Sequence, residues 1–160
     1  MCGKVTGYNT EMISQKAKYA LRALVALAKA GDSRNALQIS EMAAVHRIPK
    51  KFLEQILLEL KHHGFVESRR GKAGGYLLAR MPERITFGDV LRLIDGPIAP
   101  LPCLSLHSYR RCTDCLSESE CEVRHVFARV ADASRGILDR TTLADATAPS
   151  VESLVPEPAE

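Results

Sequence analysis

Four of the five cysteines in this chain fall within nineteen consecutive positions, spaced Cys103-x8-Cys112-x2-Cys115-x5-Cys121. Deprotonated thiols are soft donors, so four of them on one segment can converge on one soft metal centre, and iron–sulfur clusters and zinc both accept such ligands. Structural zinc usually draws on two close pairs of the C-x2-C type, and only Cys112 and Cys115 form one here. The uneven spacing favours an iron–sulfur cluster, 2Fe–2S or 4Fe–4S, over zinc, and a metal-free thiol redox switch is the third chemistry these residues allow. Cys2 stands apart near the N-terminus. His125 lies one helical turn beyond Cys121, in reach of the same centre, although a histidine there is more often part of a helix seam.

A second constellation is cationic. From Arg47 to Arg80 there are eight Lys/Arg against three acids, whereas residues 141–160 hold four acids and no Lys or Arg. Clustered cations release counterions when they meet phosphates, so a basic middle with an acidic tail points to a polyanion at the middle. Lys50, Lys51, Glu54 and Gln55 open a helical pattern that follows a tight break at 46–49. Gln55 suits an adenine edge and Glu54 a cytosine amino group. Arg69, Arg70 and Lys72 border a glycine-rich turn. Alone, each set reads as a solvated surface; in succession they read as a double-stranded DNA interface.

The elements that position these residues follow from periodicity. Ala17, Ala20, Leu21, Leu24, Leu27 and Ala28 predict a helix over 14–30. Ile39, Met42 and Ala43 predict a second, and Leu53, Ile56, Leu57 and Leu60 a third over 50–63, entered through Pro49 and closed by Gly64. Short runs at 65–69 and 76–80 flank the Gly71–Gly75 turn as a β-hairpin. Thr86 and Asp89 mark the start of another helix, which Gly96-Pro97 ends. The fold class is therefore mainly α with a small β-hairpin, a winged helix-turn-helix domain over 12–96. The domain is preceded by a flexible extension at 1–11 and followed by a cysteine-bearing loop at 97–117. A long helix over 118–145 has Ser119 and Glu122 as its capping box and Val123, Phe127, Val130 and Ile137 as its apolar stripe. Such a stripe at the edge of a small domain needs cover, and a twin helix supplies it, so a homodimer is expected. Residues 146–160 are expected to form a disordered acidic tail.

No run approaches the roughly eighteen apolar residues of a membrane span, and the N-terminus carries no signal-peptide pattern, so a cytoplasmic location with reduced thiols is expected. No hydrolase triad order or phosphate-cradling loop appears, and the glycines sit in a hairpin rather than between strand and helix, so no enzyme is expected.

The run Ile48-Pro-Lys-Lys-Phe-Leu-Glu-Gln-Ile-Leu57, the turn Arg70-Gly-Lys-Ala-Gly-Gly-Tyr76 and the downstream cysteines together resemble the Rrf2 family of bacterial regulators, which includes IscR, NsrR and RirA, over about residues 12–145. The resemblance implies a dimeric winged helix whose long helix pairs the subunits and whose cluster alters operator binding. It puts Phe52, Glu54 and Gln55 on the DNA-facing motif and the arginines before Gly71 on the wing. Family members typically use three cysteines, matched in order by Cys103, Cys115 and Cys121, with Cys112 as an extra thiol. The fourth ligands of relatives are absent: a helix-one aspartate falls at Lys18 and a histidine at Arg124, so Cys112 becomes the substitute in an all-cysteine site. The family's turn glycine is replaced by Arg47. The expected function is a DNA-binding repressor sensing iron, redox or nitric oxide status. The alternatives are a cluster-free thiol-sensing repressor and a partner-binding winged helix with structural zinc.

Overall fold

The computed structural model describes residues 13–31, 36–71 and 74–148. Helix α1 (Gln15–Lys29) begins where the Ser14 hydroxyl accepts the Ala17 N–H at 3.0 Å, and it buries the alanine and leucine stripe that the spacing predicts. Helix α2 (Ile39–His46) is separated from α3 (Lys50–His62) by the turn at Arg47, and α3 turns Leu53, Ile56, Leu57 and Leu60 fully inward. Strands β1 (Val66–Arg69) and β2 (Gly75–Leu78) pair antiparallel, with Arg69 opposite Gly75. Helix α4 (Phe87–Asp95) carries the Thr86/Asp89 capping box and stops at Gly96, where φ is +86°.

Arg47 takes φ 51° and ψ 45°, and it is the one non-glycine residue in the left-handed region among those described. A side chain there costs conformational energy that glycine avoids. The turn between α2 and α3 thus keeps the geometry that a glycine would have given. Two further glycines are set by close approach: a Cβ on Gly74 would stand 2.6 Å from the Arg69 carbonyl oxygen, and one on Gly75 would stand 2.4 Å from that of Leu37. The second exists because Leu37 forms a bridge with Tyr76, through N–H···O bonds of 2.9 and 2.8 Å, and so adds a third edge to the hairpin.

The C-terminal part differs from the expected boundaries. Helix α5 covers Glu122–Leu138, and its N-cap is Cys121, whose sulfur accepts the Arg124 N–H, in place of the Ser119/Glu122 box. The Ser119 hydroxyl instead meets that of Ser117. The chain then turns back through a Thr86–Thr142 bridge into the short helix α6 (Leu143–Thr147), with Leu143 wholly buried in the core beside α1. Thr142 and Asp145 form a capping box in which the Thr142 backbone N–H, then its hydroxyl, hold the Asp145 carboxyl below its ordinary value. A depressed native value means that this contribution is present above the unfolded carboxylate value and is lost as pH falls through the native one. The expected extension at 1–11, Cys2, Lys72 and nearly all of the expected tail lie outside the described residues.

Candidate nucleic-acid interface and cysteine segment

One face of α3 is apolar and sealed; the other is free. Lys50, Lys51, Glu54 and Gln55 are all exposed on its first turn and a half, beyond a turn that leaves the helix start open to approach. Phe52 turns the other way: it is half-buried against the core, its ring edge-on to Tyr19 at 5.8 Å between centroids. It positions the helix rather than presenting an edge to a ligand. Arg69, Arg70 and Gly71 are exposed at the hairpin tip, with Gly71 at φ +109°. The hairpin is tied to α3 by Lys61 Nζ donating to the Ser68 hydroxyl at 2.6 Å. On its other side Arg80 donates to the His63 carbonyl at 2.9 Å while its guanidinium lies 4.7 Å from the Phe65 ring centroid. Helix face and basic tip are thereby held as one surface, the geometry with which a winged helix meets a major groove and its flanking phosphates.

The cysteine segment follows α4 in the chain, and its 3-10 turn packs against α5. Cys103 is buried within a 3-10 turn at Pro102–Leu104; Cys112 and Cys115 are half-buried, joined by a Cys115 N–H to Cys112 carbonyl bond of 3.3 Å; and Cys121 caps α5. All four are free thiols. Burial, and then the adjoining Cys103 thiol, push the Cys112 thiol up. Among the described residues no three ligand-type side chains are gathered at metal-binding distance. The structure brings Cys112 to Cys103 and leaves the four thiols unassembled. His125 is exposed on α5.

The donor chemistry nevertheless suits a thiolate-ligated iron–sulfur centre: four free soft donors on an irregular segment, beside a buried guanidinium nitrogen, Arg124 Nε, that has no hydrogen-bond partner. A centre ligated by thiolates is anionic, and an unpaired buried cationic donor is what its absence would leave.

Contacts that the sequence does not announce connect this segment to the winged helix. Arg135 on α5 donates to the carbonyl of Leu104, next to Cys103, at 3.4 Å. One turn further on, Asp139 accepts from Arg92 of α4 at 2.6 Å and raises the Arg92 guanidinium above its ordinary value. Gly88 makes room, since a Cβ there would stand 2.0 Å from Asp139 Oδ1. Backbone bonds from Phe87 N–H to Thr141 and from Leu143 N–H to Ile85, both 2.9 Å, complete the attachment.

On its outer face α5 leaves Val123, Val126, Phe127, Val130 and Ile137 exposed. No helix among the described residues is long and apolar enough to cross a membrane.

Residues 13–149 match the family model described as Rrf2, iron-dependent transcriptional regulator. The chain is similar to an rrf2-like helix-turn-helix transcriptional regulator of Rhodobacter capsulatus, with 48% identity over 136 residues, covering 84% of this chain and 91% of that one. Among solved structures it resembles CymR, the global cysteine regulator of B. subtilis, with TM-score 0.71 and 32% identity over 84% of this chain and 95% of that one. It also resembles IscR of T. potens, with TM-score 0.66 and 27% identity over 88% of each chain.

Proposed function

The chain belongs to the Rrf2 family of transcriptional regulators, and from that premise we propose that it reads an operator as a homodimer and reports iron, redox or nitric oxide status through a cysteine-ligated iron–sulfur cluster. The observation that carries this reading is the placement of four free thiols on a segment that Arg135 fastens to α5, while Asp139 fastens α5 to the winged helix. Cys103, Cys112, Cys115 and Cys121 would hold the centre, which when bound supplies a group whose charge and ligation change with oxidant or nitric oxide.

The chain's own residues do the rest. Lys50, Lys51, Arg69 and Arg70 neutralise phosphates, with Lys72 of the same basic turn; Glu54 and Gln55 face base edges. The exposed valine and phenylalanine stripe of α5 pairs two copies and so sets the distance between two α3 helices. A shift of the segment around Cys103 passes through Arg135 to α5, and through Arg92 and Asp139 to α4. Even a small rotation there changes half-site spacing.

A cluster-free thiol sensor is the second reading, favoured by the contact of Cys112 with Cys103. Iron, zinc and acid-labile sulfide analysis with a visible spectrum of anaerobically purified protein separates the two. Matched iron and sulfide in a brown protein is the expected result; a colourless zinc protein overturns the cluster, and a metal-free protein after reconstitution leaves the thiol sensor.

A further inference from the structure

Arg124 carries a buried donor that no described residue satisfies. Its Nε is buried without a hydrogen-bond partner, and none of the ion pairs among the described residues includes it. A guanidinium is always protonated, and an Nε–H buried without a partner forfeits its hydration with nothing in return. Of the nearby acids Asp132 takes Arg135 and Asp139 takes Arg92, while Glu120 and Glu122, the two nearest in sequence, make no described bond to Arg124. Glu118, before the helix, accepts from Tyr109.

The position of Arg124 says what kind of partner is missing. Cys121, Arg124, Ala128 and Ala131 recur along the inward face of α5 and are half-buried or buried, whereas Val123, His125 and Val126 are exposed. The Arg124 backbone N–H already donates to the Cys121 sulfur at 3.4 Å. Helical side chains lean toward the N-terminus, which carries the guanidinium back over the turn that Cys121 caps. An anionic sulfur centre ligated from that turn would meet it directly.

We infer that Arg124 is the charge partner of the sulfur centre, its Nε–H donating to a sulfur of the cluster that the cysteine segment holds. This rests on the iron–sulfur reading above. A cation beside a thiolate-ligated cluster stabilises the centre as a whole and its more negative, reduced form most, so Arg124 both retains the iron and raises the reduction potential.

The test is to reconstitute the wild-type chain, Arg124→Lys and Arg124→Gln, and to measure the midpoint potential and the rate at which a chelator removes iron. Circular dichroism checks that all three are equally folded. Arg124→Gln is expected to lower the potential and to weaken iron retention roughly 10–100-fold. Arg124→Lys, which keeps the charge but loses the fixed Nε–H, is expected to fall between. If wild type forms a cluster and all three share one potential and one release rate, the assignment of Arg124 is overturned and the cluster reading stands. The same holds if Arg124→Gln only dissociates the dimer, because the missing anion then belongs to the second copy. If wild type takes up no cluster, both are overturned.

Discussion

Leu143→Ala is expected to lower the stability of the whole fold by about 2–5 kcal/mol, the cost of a cavity where a leucine was fully enclosed. Leu143 has no exposed surface and belongs to the same apolar cluster as Leu24, Leu27, Ile56 and Ile85. Its helix is five residues long, far too short to hold itself together, so α6 exists because this side chain is buried and because the Thr142/Asp145 box closes its first turn. The loss reaches beyond the core. Residues 141–143 are where the chain leaving α5 is stitched to Ile85, Thr86 and Phe87, so loosening α6 leaves α5 held to the winged helix chiefly by the Arg92–Asp139 pair. Urea unfolding should show the midpoint falling in proportion, and the difference in operator affinity between loaded and metal-free protein should shrink with it. A change within about 0.5 kcal/mol, the range of an ordinary surface substitution, would mean that α6 is not docked.

Replacing Lys50, Lys51 and Arg69 together by alanine is expected to weaken DNA binding on all sequences and to reduce the salt dependence by about one unit of log–log slope per cation removed. The three are exposed, and none makes a described ion pair that its loss would orphan. Their charge is available to phosphates. Gln55→Ala should behave differently, with the slope unchanged and discrimination at one base position lowered by about 1–3 kcal/mol, since an amide to a base edge carries sequence information and no counterions. Fluorescence anisotropy on labelled duplexes at several salt concentrations separates the two effects. An unaltered slope in the triple variant would remove α3 and the wing from the interface.

The helices that carry a long apolar stripe were legible from spacing alone: α1 and α3 occupy the stretches that their alanines and leucines mark, and the Thr86/Asp89 box stands where α4 begins. The same Thr-x2-Asp signal recurs at Thr142 and Asp145, where it opens α6. It escapes a reading by period because five residues show none and because the apolar burial comes from Leu143 by itself. Leu37 is hidden for a similar reason, a single bridging residue whose trace is the crowding that excludes any side chain at Gly75. At the start of α5 a sulfur took the capping place that Ser119 and Glu122 suggested, since Cys121 lies at the position whose side chain meets the Arg124 amide. In the candidate site, residue types were readable and contacts were not. Cysteine spacing named the donors but could not show Cys112 meeting Cys103, nor Phe52 turning from the motif it belongs to toward Tyr19. Arg135, Asp139 and Gly88 carry no motif at all; their meaning lies in which elements they join.

The central claim, that the thiol-held centre governs DNA binding, is tested most directly by selecting a preferred duplex from a random pool with the loaded protein. Its affinity for loaded and for chelated, metal-free protein is then measured at one fixed salt concentration. The two are expected to differ by the roughly 5–150-fold of a typical allosteric coupling. Equal affinities would contradict the claim, leaving a winged helix that binds DNA without consulting its cysteines.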